Sequence, residues 1–129
     1  MICIDSDCII DFLKDKKEAI EVIAEYREEM VTTEINIFEV FLGIYSLKKQ
    51  YEKEEELAES FFDSLEVLSI DGWGRKSAKI FTDLIKQEKV IELNDCFIAA
   101  IMIINGCNKI ITNNVEHFSR IKDIEVITY

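Results

Sequence analysis

Proline is absent from the 129 residues, and glycine occurs only four times. The usual loop punctuation is therefore missing, which favours helix-rich packing joined by short connections. Paired cysteines are missing too. Cys3, Cys8, Cys96 and Cys107 form no C-x-x-C pair, and His117 is the single histidine, so an ordinary zinc ligand set is excluded. The four thiols sit in apolar segments and read as reduced core residues of a cytosolic protein. No long apolar run occurs: the longest uncharged one, Cys96 to Ile104, falls well short of the about 20 residues that span a bilayer. The opening Met-Ile-Cys-Ile-Asp has no basic residue ahead of its apolar stretch, so no secretory signal is expected. These absences together predict a soluble, cytoplasmic protein that makes no membrane contact. Positive charge is also scarce, with 15 Lys and Arg against 26 Asp and Glu and a net charge of −11. That balance does not favour nucleic acid, whose phosphates are bound by basic faces, and would suit a basic partner protein. The basic residues form small clusters, Lys48-Lys49, Arg75-Lys76 with Lys79, Lys86 with Lys89, and Arg120 with Lys122, which read mostly as solvated helix faces.

What is present is apolar material in quantity, 49% of the chain. A chain of this length is expected to form a single domain over residues 1–129 and to bury roughly two-thirds of its unfolded surface. Short β-branched stretches at Ile2–Ile4, Met30–Thr32, Val67–Ile70, Lys109–Ile111 and Val126–Thr128 predict strands. Between them, helical spacing covers Glu18–Glu29 (with Ile20, Ile23 and Ala24 on the inner face), Ile35–Leu47, Glu52–Leu65 and Arg75–Lys89. A last helix is expected from Asn94, as N-cap, to the Asn105-Gly106 stop. Strands alternating with helices predict an α/β fold with a parallel sheet covered on both faces. The short apolar first strand suits a central position. Ligands in such sheets bind beyond the carboxyl ends of the strands, where Asp5 follows strand one.

Three acids stand where charge is otherwise avoided. Asp5 follows Ile2-Cys3-Ile4, Glu39 is the only charged residue between Glu34 and Lys48, and Asp95 opens a stretch without further charge until Lys109. Each also has a plain structural explanation. Asp5 could cap the first helix, in competition with Ser6 and Asp7. Asp95 would be favoured by a helix dipole. Glu39 could lie on a solvated stripe with Asn36, Gly43 and Ser46. If the three converge within about 6 Å, each pair repels by roughly 3 kcal/mol at an effective dielectric near 20. No lysine or arginine lies in these segments to relieve the repulsion. An all-oxygen ligand set favours a hard ion, Mg²⁺ or Mn²⁺, which could activate water and orient a phosphate.

Four blocks carry a family resemblance. Ile4-Asp5-Ser6-Asp7-Cys8-Ile9-Ile10-Asp11-Phe12-Leu13 resembles the D-[ST]-N-x-[LI]-[LI]-D-x-L opening of PIN-domain proteins. Ile37-Phe38-Glu39-Val40-Phe41-Leu42-Gly43 is similar to their second acid's setting, and Asn94-Asp95-Cys96-Phe97-Ile98-Ala99-Ala100 to their third. Ile111-Thr112-Asn113-Asn114-Val115-Glu116-His117-Phe118 resembles their T-x-[DN]-x-x-[DH]-F segment. The blocks run in family order over nearly the whole chain. The resemblance implies a PIN-like three-layer α/β/α sandwich around a central, mostly parallel sheet of four to five strands. It further implies a VapC-type toxin: a Mg²⁺-dependent endoribonuclease acting on RNA, with Mn²⁺ as a substitute, inhibited by a cognate antitoxin and commonly a homodimer. Asp5, Glu39 and Asp95 map onto the catalytic, metal-holding acids, and Ser6 onto a supporting hydroxyl. Thr112 and Asn114 fall in the supporting segment. Asn114 stands where many members carry a fourth acid, so a second ion is not implied. Asp7 replaces a common asparagine and adds charge. His117 offers a general-base reading but in this motif more often serves as a loop-packing residue, Asp71 reads as a helix cap, and Leu93, where some members carry an acid, offers a metal nothing.

Two other functions fit parts of the pattern. Asn114 and the acidic surface would suit a catalytically silent PIN-like binding module. A phosphoacceptor receiver domain would use Asp5 and Asp7 as its acidic pair, Asp71 as acceptor and Thr112 as switch hydroxyl. It leaves Glu39 and Asp95 unexplained, and no lysine follows the terminal strands as that family needs.

Overall fold

The computed structural model describes all of residues 1–129. In chain order the elements are β1 (Ile2–Ile4), α1 (Ser6–Leu13), α2 (Lys17–Tyr26), a 3₁₀ turn (Arg27–Glu29), β2 (Met30–Thr32), α3 (Glu34–Tyr45) and α4 (Glu52–Asp63). Then follow β3 (Glu66–Val67), α5 (Trp73–Lys86), α6 (Leu93–Ile104), β4 (Lys109–Ile111), α7 (Val115–Ser119) and β5 (Glu125–Ile127). The five strands form one sheet in the order β3-β2-β1-β4-β5. Every pairing is parallel. As expected for an apolar first strand, β1 is central and fully buried.

Alternation along the strands divides the apolar residues between two layers. Ile2, Ile4 and Ile111 face a core built with α1 to α4, including Ile9, Val40 and Phe62. Cys3, Val31 and Ile110 face the opposite core, with Leu84, Ile98, Ile101 and Phe118. The result is an α/β/α sandwich. All four cysteines are buried and unpaired. No helix is long and apolar enough to cross a membrane.

Several expected boundaries and faces differ. On α2 the buried residues are Ala19, Val22 and Ile23, whereas Ile20 and Ala24 are exposed. Both triplets have helical spacing, and the one containing the small Ala19, itself fully covered, allows the closer approach. β3 is confined to Glu66–Val67 at the sheet edge, and the chain leaves the sheet where Val67–Ile70 had been expected as strand. A very short edge strand also limits unwanted pairing. Asn94 is not the N-cap of α6: the helix begins at Leu93 after Glu92, and the Asn94 amide points to Glu39 Oε2 instead, at 3.5 Å. Asp71 does not cap α5, whose N-cap is Gly72 with φ of 80°. The five-residue α7 was not foreseen, because it is too short to display a period.

Topology fixes where a ligand can bind. From the central β1 the chain moves to β2 and β3 on one side, and β4 and β5 lie on the other. The connections leaving β1 and β4 therefore diverge, and a crevice opens beyond their carboxyl ends. Asp5 and Thr112 are the first residues past those two strands, and Asp5 N–H is tied to the Ile111 carbonyl at 3.0 Å. Phe118, fully buried, anchors α7 under this crevice. Phe118→Ala is expected to lower stability by about 3–5 kcal/mol, measured by urea denaturation; a loss below about 1 kcal/mol would mean that α7 is held by its polar contacts alone.

Candidate active site

Asp5 sits at the N-cap of α1 and accepts from Ser6 N–H at 2.8 Å through Oδ1. The capping role and a place in a site are thus compatible. The same oxygen accepts from the Asn36 amide at 3.1 Å, and Oδ2 accepts from Thr112 hydroxyl at 2.6 Å. Only 4% of Asp5 is exposed. Burial, aided by neighbouring Asp7, pushes its carboxyl up to about 7, against the lowering effect of the Thr112 and Ser6 hydrogen bonds.

Glu39 is half-buried on α3, one turn after Asn36, which is fully buried. The expected solvated stripe therefore exists only at its Gly43 and Ser46 end. Ser6 hydroxyl donates to Glu39 Oε1 at 2.8 Å. Burial raises the Glu39 carboxyl, while the Ser6 and Asn94 hydrogen bonds lower it and the charge of Asp95 adds to the rise. Asp95, in the first turn of α6, is buried. Its Oδ2 accepts from the Asn114 amide at 2.8 Å and lies 2.7 Å from His117 Nδ1. Burial raises this carboxyl too, opposed by the hydrogen bond and charge of His117.

The three acids are thus joined in a ring. Hydrogen bonds run from Asp5 through Ser6 to Glu39 and across to Asn94, and from Asp95 through Asn114 to Thr112 and back to Asp5, the circuit being closed by the peptide bond between Asn94 and Asp95. Asp7 lies against it: Oδ2 accepts from Asn113 N–H at 2.9 Å and from Thr112 hydroxyl at 3.3 Å, and burial raises this carboxyl as well. No lysine or arginine makes an ion pair with any of the four carboxylates, and the imidazole of His117 is the one basic side chain in contact with them.

Two participants take roles other than those the sequence suggests: Asn36 is buried in the site and not on a solvated stripe, and His117 contacts Asp95. Asn36 bridges three groups, donating to Asp5 and to Ser6 Oγ at 3.1 Å each and accepting from Thr33 hydroxyl at 2.6 Å. Its signal was an asparagine one helical turn before Glu39 in an otherwise apolar segment. His117 packs against Asp95 instead of serving only the loop, because α7 places it one turn beyond Asn114. Asp71 is exposed on the turn before α5, and β3 is separated from β1 by β2. The acidic pair and acceptor of a receiver domain are therefore not assembled. Leu93 is exposed and carries no donor.

The donor chemistry fits a hard divalent cation. The acids offer only oxygen, each is raised by burial, and several raise one another. A divalent ion would relieve that strain where neutral hydrogen bonds cannot. The side chains are not drawn into a closed shell, since no three His, Cys, Asp or Glu groups are placed to grip one ion.

A stability consequence follows from Asp5. Its folded value lies above the ordinary carboxylate value, so the folded state holds the proton more tightly than the unfolded chain. Stability is therefore retained at low pH and lost as pH rises from the ordinary aspartate range through about 7. Protein kept in EDTA is expected to lose on the order of 3 kcal/mol from Asp5 between about pH 5 and about pH 8. Asp5→Asn should flatten that slope in urea titrations; an unchanged slope would remove Asp5 as its source.

Solved structures with this architecture are similar along almost their full length. VapBC2 from Rickettsia felis, bound to a DNA fragment from its promoter, matches with TM-score 0.87 and 19% identity, covering 100% of this chain and 99% of that one. DNA-bound VapBC from Salmonella typhimurium matches with TM-score 0.87 and 23% identity, over 98% and 96%. VapBC-1 from nontypeable Haemophilus influenzae matches with TM-score 0.83 and 26% identity, over 99% and 98%. No curated protein matches the sequence significantly. The PIN domain family model spans residues 2–124, taking in β1, all three acids and α7, and the chain belongs to the PIN domain family.

Proposed function

We propose that this protein is a Mg²⁺-dependent endoribonuclease, with Mn²⁺ as a substitute, and the toxin of a type II toxin–antitoxin pair. The observation that carries the reading is the ring of Asp5, Glu39 and Asp95: two buried acids and a half-buried third beyond the carboxyl ends of β1 and β4, raised by burial and bridged by neutral donors. The toxin role is supported by the similarity to VapBC assemblies and to a structure named a toxin–antitoxin complex from Klebsiella pneumoniae, at TM-score 0.74. A cognate antitoxin is the proposed protein partner, RNA the proposed substrate, and a homodimer in the cytoplasm the proposed state.

Asp5, Glu39 and Asp95 would hold the ion. When bound, it would supply a positive centre that makes water more acidic and stabilises charge on a leaving oxygen. The residues of the chain do the positioning. Thr112, Ser6 and Asn36 fix both Asp5 oxygens, and Ser6 fixes one oxygen of Glu39. Asn114 and His117 both engage Asp95 Oδ2 and leave Oδ1 open. Holding each carboxylate in one rotamer lowers the reorganisation needed when substrate and ion enter. Asn114 donates its amide N–H to Asp95, which a carboxylate could not do, so it supports Asp95 and adds no fourth negative charge.

Purified protein freed of any antitoxin is expected to cleave members of a tRNA and structured-RNA panel with Mg²⁺ or Mn²⁺ and to stop on adding EDTA. Asp5→Ala and Asp95→Ala should each lower the rate more than about a hundredfold, beyond the effect of removing a supporting residue, while circular dichroism reports an intact fold. Full cleavage by either variant would sink the assignment, and no cleavage by the wild type would favour a silent binding module.

A further inference from the structure

Two basic clusters that are far apart in sequence meet in the fold. A groove of about 390 Å³ runs along α5, between that helix and the turn joining α7 to β5. Lys76 and Lys79 line it from α5, and Arg120 and Lys122 from the turn; Asp83 and Asp123 are its only acids. Four cations against two acids give this lining a charge of +2 in a chain of −11.

The cations are unequally committed. Lys79 lies 3.6 Å from Asp83. Arg120 is held by Glu116 at 2.6 Å and by the Val90 carbonyl at 2.8 Å, which fixes its guanidinium along the wall. Lys76 and Lys122 pair with no carboxylate, and Lys76 is half-buried without a counter-ion. A lysine ammonium without a carboxylate partner is available to pair with an incoming anion. The span from Lys76 to Gln87 along α5 is about 16 Å, room for several phosphates of an extended strand.

A single element, α7, links the groove to the carboxylate ring. Asn114 and His117, at the start and middle of α7, engage Asp95, and Arg120 is the C-cap of the same helix. The turn carrying Lys122 leads into Glu125, which pairs with Lys109 at the amino end of β4. The groove therefore lies down the α7 flank from the ring, on the face of the sheet that α5, α6 and α7 cover. We propose that this groove binds the phosphodiester backbone of RNA flanking the bond presented to the acids, along the α7 side. The proposal rests on the nuclease reading for its choice of RNA, and the surface chemistry alone specifies a polyanion.

The test is fluorescence anisotropy in EDTA with the full chain and a labelled single-stranded RNA of mixed sequence, about 12 nucleotides long. Lys76→Gln with Lys122→Gln is compared with Lys48→Gln with Lys49→Gln, which changes net charge equally elsewhere. The groove pair should weaken binding about tenfold at moderate salt and reduce the slope of log affinity against log salt by about 1.4, the single-strand value for two lost contacts. The control pair should change affinity less than about twofold, as expected for screened, distant charge. Equal weakening by both pairs, or none by the groove pair, overturns the proposal. So does tighter binding of poly-glutamate than of RNA, which would assign the groove to an acidic protein. Lys122→Gln alone, at an exposed position, keeps the test valid if the Lys76 change unfolds α5. Binding is read without metal, so RNA held by the groove but never cleaved defeats the nuclease reading alone. Metal-dependent cleavage with unaltered binding by the groove pair defeats the groove alone.

Discussion

The structure depends on how two buried carboxylates and a half-buried third are tolerated without a fixed cation. Charge can be buried only when paired or well hydrogen-bonded, and a lysine in the ring would have neutralised the site permanently. The chain uses neutral donors instead: Ser6, Asn36, Thr112, Asn94 and Asn114. These lower the cost of each negative charge while leaving that charge available to an exchangeable ion. The raised Asp5 carboxyl is the part of the cost that remains.

That arrangement dictates which elements must be rigid. Asp5 and Thr112 are fixed by adjacent strands in the middle of the sheet, where parallel pairing and two apolar layers restrict movement. Glu39 depends on α3, whose start is set by Thr33 accepting from Asn36 N–H at 3.2 Å. Asn36 then uses its side chain to reach Asp5 and Ser6. Helix capping and the organisation of the ring are one network, so a substitution at Thr33 would act on the site through Asn36 without touching any acid.

Much of this was legible because burial and charge rarely coincide. Asp5, Glu39 and Asp95 stood out as lone acids in apolar segments, and the strand–helix alternation indicated the parallel sheet. What could not be read depended on contacts between distant segments. His117 becomes a partner of Asp95 only through the five-residue α7, which is too short to leave a period. Asn94 had the composition of a cap, but a partner across the crevice claimed its amide. On α2 two faces satisfied the same spacing, and only packing against α1 chose between them. The basic clusters were visible individually, whereas their meeting in one groove is a property of the α5–α7 arrangement.

The net charge of −11 illustrates the same distinction between total and local quantities. Opposing charges farther apart than about 8 Å are largely screened at physiological ionic strength. Acids on α4, such as Glu52, Glu54 and Glu55, therefore contribute little potential where the α5 groove lies, while the lysines of the groove act at contact distance. A long-range acidic field slows approach of a polyanion, but affinity once docked is set by counterions released locally. An acidic chain can thus hold a polyanion in one groove and repel it elsewhere, so the overall charge narrows where such a ligand binds and does not decide whether it binds.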